Sequence, residues 1–214
     1  MSVQTVQNAV LNLLQKNTAL DAEFTTALTG TASSSGVDVT GVGTVFDTEL
    51  SVNDYIGMPA KGYRKVAVIT SSTALKVESA FDNDLSSEAI KKTQIQKGLG
   101  KNVNLTEVGK LLRISFVASS DVDDTAPGKR VRAVYGFVVV VGFYETDEIS
   151  AEERKSTYDQ LIRNAIDNDP TFGGVCLGIT QMGRMQVAES PDVDGVYYGV
   201  LPLICFKHET RGAR

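Results

Sequence analysis

Arg130-Val131-Arg132-Ala133-Val134-Tyr135-Gly136-Phe137-Val138-Val139-Val140-Val141-Gly142-Phe143-Tyr144-Glu145-Thr146 is the most strongly β-forming segment of this 214-residue chain. β-Branched and aromatic side chains dominate it, and these pack well on a pleated surface. Its apolar run is unbroken from Phe137 to Val141. Such a run predicts burial on both faces, and so a central strand.

The elements on either side supply its neighbours. Downstream, Ser150 stands three residues before Glu153, the spacing of a capping box, and Glu152 and Glu153 suit the positive start of a helix. Tyr158, Leu161, Ile162, Ala165 and Ile166 then recur at helical spacing, and Asn168-Asp169-Pro170 ends the pattern. Two further strands are predicted, over Val175 to Gln186 and Gly195 to Lys207, around Ser190-Pro191-Asp192. Upstream, Gly109 to Val117 reads as a strand, joined to the central one by the polar turn Asp121 to Lys129. Ser87 to Gln96 reads as a short helix or connector, and Lys97 to Asn102 as loop. At the start of the chain, Val6, Val10, Leu13, Leu14 and Asn17 predict one face of a helix from Val3 to Leu20, with Asp21 to Leu28 as a continuation.

Between Gly30 and Ser87 the pattern changes. Thr, Ser, Gly and Val dominate, and short alternating runs such as Lys65-Val66-Ala67-Val68-Ile69 and Ala74-Leu75-Lys76-Val77-Glu78 are punctuated by Ser35-Gly36, Asn53-Asp54, Gly62 and Ser71-Ser72. Short strands at this spacing predict a small all-β module, barrel-like or sandwich-like. The expected fold is therefore α+β: an antiparallel sheet with two packed helices, built from residues 1–29 and 88–214, and an inserted β-rich module at 30–87.

Composition narrows the functions. Apolar residues make up 42% and charged residues 22%, an ordinary globular balance able to form a core. The net charge is −5, which disfavours general nucleic-acid binding, since neutralising phosphates needs surplus Lys and Arg. No apolar run approaches the ~20 residues of a membrane-spanning helix. Met1-Ser2-Val3-Gln4 lacks the basic region of a secretory signal, which predicts folding in a cytoplasm. Cys176 and Cys205 are the only cysteines, and in a reducing compartment they are expected as buried free thiols.

Motifs for catalysis or cofactor binding are lacking. The single histidine, His208, lies three residues from Cys205 in a predicted strand, so the two point to opposite faces and cannot form a nucleophile pair. One histidine and no CxxC leave no zinc site. The acids Asp121, Asp123, Asp124, Glu145, Asp147, Glu148, Glu152 and Glu153 cluster in loops and at a helix start, where solvation and the helix dipole account for them. Asp121-Val122-Asp123-Asp124 lacks the spacing of a calcium loop. Gly41-Val42-Gly43 is not followed by a helix, Gly98-Leu99-Gly100-Lys101 lacks the P-loop Ser or Thr, and neither Ser34 nor Ser120 has a nucleophile-elbow context. The expectation is no enzyme activity, with no catalytic, cofactor-binding or metal-binding residues and no cofactor. Lys91, Lys92, Lys97, Lys101, Arg211 and Arg214 read as solvated surface, with contacts to a neighbouring subunit as the alternative.

Two resemblances bear on function. Gly41-Val42-Gly43-Thr44-Val45-Phe46, Leu50-Ser51-Val52-Asn53-Asp54-Tyr55-Ile56, Tyr63-Arg64-Lys65-Val66, Ile69-Thr70-Ser71 and Leu75 to Phe81 resemble a small β module recurring in virion proteins of tailed bacteriophages. Asn53 stands where that module usually has Gly. The module implies a stalk or surface decoration without catalysis. The flanking parts, carried by Val131 to Phe143, Thr146-Asp147-Glu148, the helix Ser150 to Ile166, and Val196 to Phe206, are similar to the phage tail terminator or tail-completion family of the head-tail neck. The resemblance implies a structural virion protein, assembled in the host cytoplasm and placed in the tail and neck. It implies a homohexameric ring that ends the tail tube and docks the head-tail connector or stopper. The tail tube protein is then a partner, with the sheath protein as a further candidate. DNA would pass through the lumen without sequence-specific contacts, and no membrane is involved. The alternatives are another tail, baseplate or decoration protein, or a non-enzymatic binding module.

Overall fold

The computed structural model describes residues 3–98, 105, 109–122 and 130–210. The fold is mixed α+β, and its backbone divides into two units. One comprises Gln15–Gln96, and the other Met1–Leu14 with Lys97–Arg214. The β-rich unit is thus wider at both ends than residues 30–87. Leu28 and Ile90 belong to its core, and Thr25–Ala27 pairs with Lys91–Thr93. The polar turn at Asp121 to Lys129, the loop at Lys97 to Asn102, and Arg211 and Arg214 lie wholly or largely outside the described residues.

The chain opens with helix α1, Val3–Lys16, and helix α2, Thr18–Phe24. The expected single helix to Leu20 is broken at Asn17. Its side-chain oxygen accepts from the amides of Ala19 and Leu20, both at 3.1 Å, and so caps α2. Asn competes with helical backbone bonding in this way, which suits it to a helix start rather than an interior.

The β-rich unit then runs β1 (Thr25–Ala27), β2 (Thr31–Ser35), β3 (Asp38–Val42), the one-turn helix α3 (Phe46–Glu49), β4 (Tyr55–Met58), β5 (Gly62–Ser71), β6 (Ala74–Val77) and β7 (Lys91–Thr93). The short helix or connector expected at Ser87 to Gln96 is instead β7 followed by β8, Ile95–Lys97. All pairings are antiparallel, in the order β1-β7-β4-β5-β6-β3-β2. The β2 edge is not left open. Ala32 and Glu88 exchange backbone bonds at 2.8 and 2.9 Å, and Ser34 donates to the Leu85 carbonyl at 3.1 Å, so the segment before β7 closes the sheet on itself. Full closure removes the exposed edge that would invite foreign pairing. Inside sit Leu28, Val39, Phe46, Ile56, Val66, Leu75, Phe81 and Ile90.

Two turns of this unit explain its motif. Asn53 sits at φ 81°, a left-handed conformation that Asn tolerates. Asp54 then accepts from the Ser51 amide at 2.8 Å. Gly57 has φ 150°, and a Cβ there would stand 2.2 Å from the Gly62 carbonyl oxygen, so only Gly fits the β4–β5 hairpin.

In the second unit, β9 (Lys110–Val122), β10 (Arg130–Tyr144), helix α4 (Glu148–Asn168), β11 (Gly178–Met182), β12 (Gln186–Glu189) and β13 (Val196–Thr210) follow in order. The sheet runs β11-β13-β10-β9, and β12 also pairs with β13. β10 is central, as expected, and pairs with β13 from Arg130↔Thr210 to Tyr144↔Val196. Burial along β10 nevertheless alternates. Ala133, Tyr135, Phe137, Val139, Val141 and Phe143 are buried, whereas Val138 and Val140 are only half-buried. The expected burial on both faces is corrected: one face of β10 is buried and the other is only partly so.

That inner face meets α4 through Tyr158, Ile162, Ala165 and Ile166, all buried, with Leu161 half-buried at its margin. Phe143 contacts Tyr158 edge-on, with centroids 5.5 Å apart, and stacks on Tyr197 at 5.8 Å. Helix α1 is tied to the same sheet where Gln7 Nε2 donates to the Ile114 carbonyl at 3.0 Å.

The cap of α4 also differs from expectation. The helix starts at Glu148, and Asp147, not Ser150, is the N-cap, its carboxylate accepting the Ser150 amide at 2.8 Å. An ionised oxygen aimed at the positive helix end outcompetes a hydroxyl one turn later.

The strand expected over Val175 to Gln186 is split into β11 and β12. The cause lies in β13. Pro202 has no amide hydrogen, and its carbonyl accepts from the Gly183 amide at 2.9 Å, so the missing donor falls on the side facing these strands. β11 therefore pairs with Leu203–Phe206, β12 with Tyr197–Val200, and Gly183 lies in the gap.

Candidate functional site

Most of the polar residues weighed above have structural partners. The Ser34 hydroxyl donates to Asp84 Oδ1 at 3.1 Å and accepts from the Leu85 amide at 2.8 Å. Ser120 and Asp121 lie in β9, and Asp123 and Asp124 fall outside the described residues. Glu145 pairs with Arg154, and Glu152 with Lys155 at 2.9 Å. Hydrogen bonding from Ser150 holds the Asp147 carboxyl below the usual range. Lys91 pairs with Asp21 at 2.5 Å and Lys92 with Asp54 at 2.7 Å, so both lysines are engaged within the β-rich unit. Cys205 faces Tyr135 across the β10–β13 ladder and His208 faces Arg132, which puts them at opposite-face positions of β13. Gly41 and Gly43 flank the end of β3, where a Cβ on Gly41 would stand 2.2 Å from Thr44 Oγ1. Among the described residues no cluster of His, Cys, Asp and Glu could hold a metal, and no helix is long and apolar enough to cross a membrane.

Three features of the second unit could meet a partner. The first is the outer face of its sheet. Val138 lies opposite Pro202, Val140 opposite Val200, and Gly136 opposite Ile204. Directly opposed residues share a face, so these side chains form one apolar band. Val200 is 38% exposed and Pro202 is exposed, while Val138, Val140 and Ile204 are half-buried. Val117, 61% exposed, sits at the bulge where β9 changes register with β10. Leu105 covers one end of the band, packing with Leu111 and Val196.

The second is a groove of about 560 Å³ between α4 and the β11–β12 connection, lined by Glu152, Lys155, Asp159, Arg163, Arg184 and Met185, among others. Arg163 holds Asp159 at 2.8 Å and reaches the Gly183 carbonyl. Asp159 Oδ1 is buried without a hydrogen-bond partner in the described residues, so the groove offers an acceptor to an incoming donor. The third is an acidic end. Burial first, and then the charges of Glu189, Glu148 and Asp147, push the Tyr197 phenol up.

These features, an apolar band, a salt-bridged groove and a carboxylate rim, offer surfaces for binding. The band was missed at the sequence level, although Val200, Pro202 and Ile204 alternate in the chain and signal it. The groove had no local signal, because its residues come from three separate elements. No protein-family model matches the chain, and no curated protein matches it in sequence.

Proposed function

We propose that this chain is a structural virion protein of a tailed bacteriophage, forming a ring at the head-tail junction that ends the tail tube and docks the connector. The observation that carries this reading is the apolar band on the outer face of the β9–β10–β13 sheet. A strand face bearing Val138, Val140, Val200, Pro202 and Ile204 costs free energy in water at about 25 cal/mol per Å² left uncovered, so it favours association. A ring requires two different surfaces on each copy that meet by rotation and close. The band and the groove between α4 and the β11–β12 connection are two such surfaces. The acidic rim at Asp147, Glu148 and Glu189 and the net charge of −5 suit a wall past which DNA slides without sticking. In this reading the protein acts by shape and converts no substrate.

The test is tail length. Particles assembled without the protein should have overlong tails, or tails that do not join heads. Tails of normal length that join heads contradict the terminator role. A second reading, another tail, baseplate or decoration protein, rests on the closed β module with its Asn53-Asp54 turn. It is favoured if the protein is found on mature particles away from the neck.

A further inference from the structure

We propose that Tyr198 of one copy enters the groove of a second copy and donates its phenol hydroxyl to Asp159 Oδ1, and that this bond anchors the contact between subunits. The proposal rests on the ring reading above and names the side chain that joins the ring's two surfaces.

The groove holds one unmet acceptor. Asp159 commits Oδ2 to Arg163 Nε at 2.8 Å, and Arg163 reaches on to the Gly183 carbonyl, so this guanidinium is held between α4 and the β11–β12 connection. Lys155 is engaged by Glu152 at 2.9 Å. Asp159 Oδ1 is left buried with no hydrogen-bond partner among the described residues. A carboxylate oxygen in that state costs free energy, which a donor from outside recovers.

The rest of the lining selects the donor. Met182 and Met185 bring thioethers. Met185 is 4% exposed, and a Cβ on Gly199 would stand 2.7 Å from its sulfur, so the bare backbone of β13 seats this side chain. Arg184 is exposed and makes no ion pair among the described residues. Thioethers favour aromatic rings, and a guanidinium favours the face of one. An aromatic ring with a hydroxyl at its tip satisfies the whole lining. A lysine would reach the acceptor against the repulsion of Arg163 and Arg184, and an aliphatic side chain would leave the acceptor unmet.

The band carries such a phenol. Tyr198 lies next but one before Val200 in β13, and so on the same face, opposite Gly142 of β10. It is 37% exposed, and its hydroxyl has no hydrogen-bond partner among the described residues. A Cβ on Gly142 would stand 3.3 Å from Tyr198 Cε1, so the missing side chain gives the ring a seat on the sheet. A ring already seated loses little freedom on docking. Tyrosine suits the centre of an interface because it joins apolar area to a polar tip. The unshared donor and the unshared acceptor thus stand on the two surfaces that a rotation brings together.

The experiment is sedimentation velocity of the full chain over a range of concentrations, with Tyr198→Phe, Asp159→Ala, the two combined, and Tyr144→Phe. Tyr198→Phe removes one oxygen from an exposed position, so its melting midpoint should stay within about 2 °C. Its self-association should weaken about tenfold or more, as for a hydrogen bond to a charged group. Asp159→Ala should weaken association likewise, and the combined variant no further than the stronger single one. Tyr144→Phe, at a 41% exposed phenol on the same face, should leave it unchanged. If Asp159→Ala does not fold, the contrast between Tyr198→Phe and Tyr144→Phe decides. Unaltered self-association in Tyr198→Phe, or effects that add in the combined variant, would overturn the anchor while the ring reading stands. A loss of binding to isolated tail tubes with self-association intact would assign Tyr198 to the tube protein and overturn it too. A chain that stays monomeric with and without tubes would overturn both.

Discussion

Val140 lies directly opposite Val200 in the β10–β13 ladder, and the pair opens onto the outer face of the sheet, where Val200 is 38% exposed. The inner neighbours Val139 and Leu201 are fully buried. One strand pair therefore has a face committed to its own core and a face left for something else. Val200→Lys should leave the fold intact, moving the melting midpoint by no more than about 2 °C, as for other surface changes. It should weaken self-association about tenfold or more, read by sedimentation velocity. Val42→Lys, at a 75% exposed position of the β-rich unit, is the control and should leave association unchanged. Equal effects of the two would remove the outer face from the account.

Asp21 is a second fixed point, 4% exposed, accepting from the Tyr63 hydroxyl and from Lys91. It joins α2 to β5 and β7 inside the β-rich unit. Asp21→Asn should cost about 2–3 kcal/mol in denaturant unfolding, because the charged acceptor is lost while its donors stay. Combined with Tyr63→Phe the cost should be less than additive, since both changes act on one network. Strict additivity would mean the network is not coupled.

The same tyrosine predicts alkaline behaviour. Burial first, and then the hydrogen bond and charge of Asp21, hold its phenol well above the ordinary value of 10.0. A group that binds its proton more tightly when folded contributes stability fully present below the unfolded value, and lost as pH rises from there through the folded value. Unfolding free energy should thus fall with pH above about 10, and Tyr63→Phe should flatten that fall. An identical alkaline slope in the variant would assign the effect to other groups.

Asp147 acts at the opposite end of the pH range. Its carboxyl is held low by the hydrogen bonds from Ser150, so its contribution is present above the ordinary 3.8 and lost as pH falls through the folded value. Asp147→Ala should lower the melting midpoint at neutral pH, and the difference from the unaltered protein should close in acid. Ser150→Ala should have the smaller effect of the two. The reverse order would restore Ser150 as the cap.

Ile162 reads as core in both sequence and structure, and is fully buried. Ile162→Asp places an unpaired charge there at a cost of several kcal/mol, on the order of a domain's whole stability. Far-ultraviolet circular dichroism and melting should show an unfolded second unit. A native melting curve would contradict the assigned face of α4.

The elements read most readily from the chain were those whose side chains repeat: α4 through Tyr158, Ile162 and Ile166, and β10 through its valines. Those missed were set by single polar atoms or by distant partners. Asn17 breaks a helix whose apolar rhythm continues to Leu20, because one side-chain oxygen captures two amides. Lys91-Lys92-Thr93 has no alternation to mark a strand, and is held extended by partners in β1 and β4. The division between β11 and β12 is dictated by Pro202, in a strand that follows both. The uncovered half of β10 was hidden by its own composition, because valine on an exposed face and valine in a core are spelled alike.

Native mass spectrometry of the full chain, mixed with isolated tail tubes, tests the central claim most directly. The account predicts a closed oligomer, ring-sized and bound to the tube end, that falls apart with Val200→Lys. A strict monomer at high concentration, indifferent to the tubes, would contradict it.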